Sequence, residues 1–247
     1  MKLVYSAEGG VGRIELRNPP HNSLVSPAFE DPARLAAFLA RDDLKAAIVV
    51  GHGRHFSTGA DLDDLAARIS GDTAAFGALL AAGKSALDAI RYSEIPVVAA
   101  IRGSCLGAGL EIALACHFRV ASANALLGFP EAERGLMPGL GGTLVGGVRA
   151  PRGAVIELLL SGRMIRGEEA VSLGLVDAAV PTADVASRAE DLVGRLVAGR
   201  TRSQIRRVMT AVHNAERLPR DEALAAETRL FVELAAEVGA RGAGGGR

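Results

Sequence analysis

Short apolar runs alternate with stretches of helical periodicity along the first part of the chain. Runs at 3–5 and 11–17 flank a Gly-Gly pair and predict a β-hairpin. Almost fully apolar runs at 46–50 and 96–101 are typical of strands buried on both faces. Strands that alternate with helices indicate βαβ units and a parallel sheet, so the expected fold class is α/β. The same patterns predict helices at 33–44, 61–69, 73–92 and 107–116 and a further strand at 118–121.

Helices dominate the chain from residue 151 onward. We therefore expect an α/β core at 1–180 and a helical region at 181–238. Residues 239–247 have no core-forming content, which predicts a disordered tail. Helical patterns cover 151–160, 167–173, 183–198, 201–213 and 220–237, and one short strand lies around 176–180.

The chain of 247 residues carries 28 basic and 28 acidic side chains, so its formal net charge is zero. This balance argues against nucleic acid and membrane surfaces as partners, because both are bound largely through excess basic charge. Two cysteines form no disulfide framework, and His52 and His55 are more typical of a solvated loop than of metal ligands. The sequence begins with no secretory signal and has no run of about 18 apolar residues, so we expect a cytoplasmic protein.

Three glycine-rich turns, at 56–62, 103–111 and 129–143, each follow a strand and precede a helix. The N-terminus of a helix offers unpaired N–H donors, and glycine lets a ligand approach the backbone closely. Two such turns that face each other could hold an oxyanion between two N–H groups. The turns are therefore the candidate binding site.

Glu111 and Glu131 lie within these turns at positions suited to acid–base chemistry. Glu111 follows Ala108 by three residues, so both lie on one face of a helix. Two carboxylates beside an oxyanion pocket suit proton transfer, because one can accept a proton while the other donates. The alternative is a structural role, since acidic residues stabilise the first turn of any helix. Asp61 could likewise be a helix cap, and Glu133 is a nearby competitor for the role of Glu131.

Four segments, in their order and spacing, resemble the crotonase superfamily, the enoyl-CoA hydratase/isomerase family. The similarity extends over nearly the whole chain, from about residue 3 to about residue 230. It implies a spiral of ββα units with a C-terminal helical trimerisation region, assembled as a homotrimer or a dimer of trimers. The segments are HFSTGADL (55–62), IPVVAAIRGSCLGAGLEIALACHFRVAS (95–122), FPEAERGLMPGLGGT (129–143) and SGRMIRGEEAVSLGLVDAAVP (161–181).

The resemblance also implies a reaction and the residues that perform it. The substrate would be an acyl thioester of CoA or of an acyl-carrier protein, with no cofactor and no metal. The N–H groups of Ala60 and Ala108 would form an oxyanion hole for the thioester carbonyl. Glu131 would exchange the proton at C2, and Glu111 would help to activate the water that adds at C3. Further residues implied to contact substrate or water are Gly59, Asp61, Leu62, Gly107 and Gly139.

Two departures from the family pattern bear on the substrate. Ala108 stands where the family usually has glycine, and the usual C-terminal segment with Glu-Gly, Ala-Phe and Lys-Arg-Pro is missing from 230–247. The second departure favours a carrier-protein substrate as an alternative to CoA. The arginines between 195 and 207 are either a solvated face or a contact for the phosphates of CoA. Two other functions stay open: a Δ3-Δ2 isomerase that uses Glu131 or Glu133 alone, and a non-catalytic member that binds a partner.

Overall fold

The computed structural model describes residues 1–144 and 150–244, with side chains described to residue 240. The described strands are β1 (Lys2–Glu8), β2 (Val11–Arg17), β3 (Ala46–Gly51), β4 (Val97–Ile101), β5 (Ser104–Leu106), β6 (Phe118–Ser122), β7 (Leu126–Gly128), β8 (Met164–Arg166) and β9 (Ala178–Val180). The labelled α-helices are α1 (Pro32–Leu39), α2 (Leu62–Ile69), α3 (Thr73–Arg91), α4 (Ala108–Ala115), α5 (Arg152–Ser161), α6 (Gly167–Ser172), α7 (Val185–Val197), α8 (Arg202–Arg217) and α9 (Arg220–Gly244). Two 3-10 helices cover Pro130–Arg134 and Thr182–Asp184.

The larger sheet has the strand order β1-β2-β3-β4-β6-β9. β1 and β2 pair antiparallel across Gly9 and Gly10, and both glycines have a positive φ. Glycine adopts this conformation without steric cost, which is why the chain reverses here. All other neighbours in the sheet pair in parallel. The predicted hairpin and the predicted parallel sheet are therefore both confirmed.

Both faces of the larger sheet are covered by apolar side chains. In β3, Ala47 and Val49 belong to one apolar cluster, which includes residues of α1, α3 and α4. Ile48 and Val50 point the other way, into a cluster with Val193 of α7. Because side chains alternate between the two faces of a strand, a strand covered on both sides is apolar at every position. This explains the uninterrupted apolar run at 46–50.

A smaller sheet of order β5-β7-β8 lies beside the glycine-rich turns. β5 and β7 pair in parallel, β7 and β8 pair antiparallel, and Ser57 forms an isolated bridge to Cys105 of β5. The sequence patterns did not predict these three strands. Each has only three residues, which is too short to show a period of two.

The C-terminal part of the described chain is helical, as predicted. α7 packs on the larger sheet, and α8 and α9 pack on each other. α9 continues to Gly244, whereas the sequence analysis predicted a disordered tail from residue 239. Helix propagation needs only one hydrogen bond per added residue, so a formed helix extends through a segment with no core-forming content. Residues 245–247 of the predicted tail lie outside the described residues.

Among the described residues, α3 is the one helix that is long and apolar enough to span a membrane by length and composition. It has 19 residues, and its mean hydropathy reaches 1.2. Core helices of globular proteins reach the same values. Ala86, Leu87 and Ile90 on one face of α3 are buried in the main apolar cluster. We therefore assign α3 to the packing of this domain.

β6 carries a fully buried arginine. The Arg119 guanidinium donates to Cys116 O at 2.7 Å, to Leu175 O at 2.7 Å and to Asp177 Oδ2 at 3.0 Å. The backbone N–H of Arg119 donates to the same Asp177 oxygen at 2.7 Å. A buried charge is costly without partners, so these bonds both satisfy the guanidinium and hold β6 to the segment that leads into β9.

Substituting Asp177→Ala should lower the free energy of unfolding by about 2 kcal/mol, because a buried guanidinium loses its charged partner. Chemical denaturation followed by circular dichroism measures the change. Asp43→Ala is the matched control, since it removes an exposed ion pair with Arg41 and should leave the midpoint unchanged. Equal midpoints for Asp177→Ala and the wild type would contradict the structural role of this pair.

Candidate active site

The loop that follows β3 is anchored by a buried asparagine. Asn22 Nδ2 donates to the carbonyl oxygens of His52 and His55 at 2.9 and 2.8 Å. Ser57 Oγ donates to Asn22 O at 2.8 Å. Because Asn22 is fully buried, these bonds are shielded from water and fix the path of the loop before it reaches the site.

Beyond this anchor, residues 59–61 run alongside Leu24. Leu24 N–H donates to Gly59 O at 2.8 Å, and Asp61 N–H donates to Leu24 O at 2.8 Å. Successive N–H groups of an extended segment point to opposite sides. The N–H of Ala60 therefore points away from Leu24.

The second loop leads from β5 into α4 through Gly107, which has a φ of +51°. Gly107 N–H donates to Gly128 O at 2.9 Å, and Glu111 N–H donates to Gly107 O at 3.0 Å. The N–H of Ala108 comes before this first helical bond, so it has no acceptor within α4. It also lies at the positive end of the helix dipole.

Gly59 allows these two loops to touch. A Cβ atom at Gly59 would lie 2.6 Å from Leu106 O and 3.3 Å from Ala108 N, and the φ of Gly59 is +89°. Ala60 and Ala108 line the same cavity. In the part of the chain that the structure describes, neither of their N–H groups donates to a backbone acceptor. The structure thus brings together the two N–H groups that the sequence analysis named.

Glu111 of α4 is buried against the loop at 139–142. Its Oε1 accepts from Leu140 N–H and from Gly142 N–H, each at 2.7 Å. Burial raises the pKa of Glu111 from 4.5 to about 7, and the charge of Glu131 adds to this, while the two N–H donors act against it. The carboxyl group can therefore change its protonation state near neutral pH.

Glu131 lies in the 3-10 helix Pro130–Arg134 and enters the same cavity. A Cβ atom at Gly107 would lie 2.6 Å from Glu131 Oε1, so a side chain there would displace this carboxylate. Glu131 Oε2 is buried and has no hydrogen-bond partner among the described residues. Burial raises the pKa of Glu131. Glu133, the competing carboxylate, is exposed and lies beside Gly162 instead.

Apolar side chains of α2 and α3 enclose the rest of a cavity of about 150 Å³. The sequence analysis did not assign these side chains to the site. Helical periodicity shows that a helix has an apolar face, but it does not show which neighbour that face meets. The apolar lining comprises Leu24, Pro27, Leu65, Ile69, Phe76, Leu80, Leu136, Met137 and Leu140.

The remaining predicted contact residues have different positions. Gly139 and Asp61 line the cavity, and Asp61 also caps α2 by accepting from Asp64 N–H at 3.2 Å. Leu62 is 52% exposed and is not part of the lining formed by the described residues. Gly59 and Gly107 shape the loops, as described above.

The arginine-rich stretch forms bonds within the chain. Arg202 donates to Leu44 O at 2.9 Å, and Arg206 pairs with Glu94 at 2.6 Å. Arg207 pairs with Glu237 of α9 at 2.8 Å. These guanidinium groups thus connect α8 with its neighbours in the fold, a role that differs from both the solvated face and the phosphate contact considered for the stretch.

The two loop histidines also have partners in the protein. His52 Nδ1 pairs with Glu15, and His55 Nδ1 accepts from Ser104 N–H at 3.0 Å. No group of three His, Cys, Asp or Glu side chains in residues 1–144 and 150–240 could hold a metal ion.

Known proteins are similar to this chain in sequence and in fold. Residues 6–243 match the family model described as Enoyl-CoA hydratase/isomerase. A probable enoyl-CoA hydratase of Bacillus subtilis is 35% identical over 191 residues, which are 75% of this chain and 72% of that protein. A peroxisomal fatty acid beta-oxidation multifunctional protein of Arabidopsis thaliana is 37% identical over 205 residues, which are 78% of this chain and 28% of that protein. The chain thus spans less than a third of this multifunctional relative.

The fold is similar to that of solved structures over almost its whole length. The crystal structure of an enoyl-CoA hydratase from Polaromonas has a TM-score of 0.86 to this chain, with 28% sequence identity. The superposition covers 94% of this chain and 91% of that chain. Similarity at this level extends across both the sheets and the C-terminal helices.

The buried Glu111 should make the protein less stable as pH rises. Its pKa increases from 4.5 to about 7 on folding, so the folded state binds more protons than the unfolded state between these values. Stability is therefore lost through this range, by about 3 kcal/mol in total. Glu111→Gln cannot ionise but keeps an oxygen for both N–H donors.

We expect Glu111→Gln to be more stable than the wild type at pH 8 by up to about 3 kcal/mol, and equally stable at pH 4.5. Urea denaturation at both pH values measures the difference. Glu133→Gln makes the same change on the surface and serves as the control. If the difference in free energy of unfolding between Glu111→Gln and the wild type is the same at both pH values, ionisation of Glu111 does not destabilise the folded state.

Proposed function

The chain belongs to the enoyl-CoA hydratase/isomerase family, and we propose that it adds water across the C2=C3 bond of an enoyl thioester or removes it in the reverse direction. The resemblance found in the sequence is thereby confirmed, as is the crotonase fold with its C-terminal helical region. One observation carries the proposed reaction: a single cavity holds the buried Glu111 and the half-buried Glu131 beside two N–H groups that have no backbone acceptor among the described residues.

The two N–H groups supply the electrostatic part of the reaction. A thioester oxygen that accepts from Ala60 N–H and Ala108 N–H gains negative charge when C3 is attacked. Donors that are already in place stabilise this charge without reorganising, and the loss of one such donor typically costs about 2.7–4 kcal/mol. The methyl group of Ala108 leaves its backbone N–H available, so alanine can replace the glycine that is usual in the family.

The two carboxylates supply the proton transfers. The Glu111 carboxylate takes a proton from water as the water oxygen bonds to C3, and the electron pair of the C2=C3 bond moves to form the enolate. The enolate then collapses as C2 takes a proton from the Glu131 carboxyl. Elimination is the same sequence in reverse, so one oxygen and two hydrogens are added or removed in total.

This sequence requires one proton on the pair of glutamates. Burial raises both pKa values, and their mutual repulsion disfavours double ionisation. The two N–H bonds to Oε1 favour the ionised form of Glu111. Hydration starts from the state in which Glu111 is ionised and Glu131 carries the proton, and with the pKa of Glu111 raised to about 7 this state requires a pH near or above neutral.

The substrate we propose is an enoyl-CoA, with an acyl-carrier-protein thioester as the alternative. The apolar side chains of α2 and α3 fit an aliphatic acyl group, because they offer the carbon chain no polar partner. The name of the family and of its solved relatives favours CoA as the thiol.

Glu111→Gln should reduce the hydration of crotonyl-CoA by about 10²- to 10⁴-fold, because the base that activates water is removed. Loss of absorbance at the enoyl-thioester band measures the rate. Glu133→Gln is the matched control and should retain the wild-type rate. Each variant is also assayed with the crotonyl group on an acyl-carrier protein and with a 3-enoyl-CoA.

The outcomes of this assay separate the possible functions. Turnover of 3-enoyl-CoA that survives Glu111→Gln, together with no hydration by the wild type, would replace the hydratase with an isomerase. Faster turnover on the carrier protein than on CoA would change the substrate class. A wild-type protein inactive on every enoyl thioester would indicate a non-catalytic member.

We further propose that the chain assembles as a homotrimer or a dimer of trimers. Large apolar side chains are exposed on the C-terminal helices and on α5, including Leu160 at 78% and Phe231 at 71%. Exposed apolar residues in such number are typical of an interaction surface. Light scattering should give three or six times the chain mass of 25.4 kDa, and a monomer mass would refute the assembly.

A further inference from the structure

A glycine in the middle of α3 lies where three elements meet. A Cβ atom at Gly83 would lie 2.3 Å from Pro27 O and 2.8 Å from Leu140 Cδ2. Real Cβ atoms do not approach backbone oxygen this closely, so even one methyl group would force α3 away from these neighbours. Glycine within a helix costs about 1 kcal/mol relative to alanine, which makes its presence here informative.

Each neighbour of Gly83 leads to a different part of the candidate active site. Pro27 lies three residues after Leu24. The backbone of Leu24 forms hydrogen bonds to the two residues that flank Ala60. Leu140 is buried, and its own N–H donates to Glu111 Oε1. One face of α3 thus supports the segment that holds an oxyanion donor and the loop that holds a buried carboxylate.

We infer that Gly83 is a positioning residue that sets the placement of the Glu111 carboxylate relative to the N–H of Ala60. The inference rests on the proposed hydratase function for its activity readout. Gly83 touches neither the substrate nor the reacting atoms. It acts through Pro27 and Leu140, which can approach α3 only where a side chain is lacking.

The geometry of the Glu111 hydrogen bonds makes the site sensitive to such a displacement. Both N–H donors lie 2.7 Å from Oε1, at the short end of the normal range. The loop cannot move closer without a clash, so a displacement lengthens or bends these bonds. Gly142 adds to this constraint, since a Cβ atom there would lie 2.8 Å from Phe129 and 3.1 Å from Glu111 Cγ.

Gly77 provides a matched control within the same helix. It is also a glycine of α3, but a Cβ atom at Gly77 would have no neighbour within 4 Å. Gly77→Ala therefore changes helix propensity alone. Gly83→Ala makes the same change and also crowds Pro27 and Leu140.

The experiment compares Gly83→Ala, Gly77→Ala and the wild type as full-length chains. We expect Gly83→Ala to lower kcat for crotonyl-CoA by about 100-fold with KM changed less than about threefold, because a shift of about 1 Å in the catalytic geometry has this effect. We expect the NMR titration of ¹³C-labelled Glu111 to move to a higher pKa by about one pH unit, because its N–H donors are displaced. Gly77→Ala should match the wild type in both measurements.

Two results would overturn the inference. One is a Gly83→Ala protein with the wild-type kcat and Glu111 titration, whether or not its melting temperature is lower. The other is an equal effect of Gly77→Ala. If Gly83→Ala does not fold, Leu140→Ala tests the same linkage from the opposite side, with the same expected changes and the same refuting result. An inactive wild type would refute the proposed function, while the titration would still test the inference.

Discussion

Two hydrogen bonds from a backbone loop to one buried carboxylate oxygen determine how the rest of the site is arranged. A glutamate as buried as Glu111 would stay protonated without donors, and a permanently protonated group could not accept a proton from water. The loop at 139–142 supplies the donors, and it must lie close to α4 to do so. That closeness in turn requires glycine at two contacts. Gly83 of α3 meets Leu140 of the loop, and Gly142 of the loop meets Phe129 and Glu111 of α4.

The two N–H groups that we propose as oxyanion donors, those of Ala60 and Ala108, depend on a different principle. They are backbone groups, so their positions follow from the path of the chain, and a side-chain rotamer cannot move them. Asn22 fixes the first loop from within the core, and the start of α4 fixes the second. The backbone bonds of these two segments therefore set both N–H groups, and in the proposed reaction the enolate charge would meet groups that do not need to reorganise.

The sequence predicted those features that depend on local pattern. The hairpin, the buried strands and most helices follow from periodicity, and the two glutamates follow from turns that open helices. The Ala60 and Ala108 N–H groups were implied by the family resemblance. Strands β5, β7 and β8 and the 3-10 helix at Glu131 were missed because each spans fewer than two repeats of its pattern. The contact of Gly83 with Leu140 joins positions 57 residues apart, and no local pattern carries such information. The predicted role of Leu62 in substrate contact stays a prediction, since its side chain lies outside the cavity lining described here.

Backbone N–H groups form one part of the cavity, and apolar side chains of α2 and α3 form the other. This division has a consequence for how the protein can evolve. The glycines beside the donors and the carboxylates, Gly59, Gly107 and Gly142, lie where an added methyl group would collide with its surroundings, so these positions tolerate little variation. The wall of α2 and α3 consists of ordinary apolar side chains with room at the protein surface. Under the proposed function, substitutions on that wall would alter which acyl groups fit while the residues proposed for the chemistry stay the same, as in folds that serve many substrates.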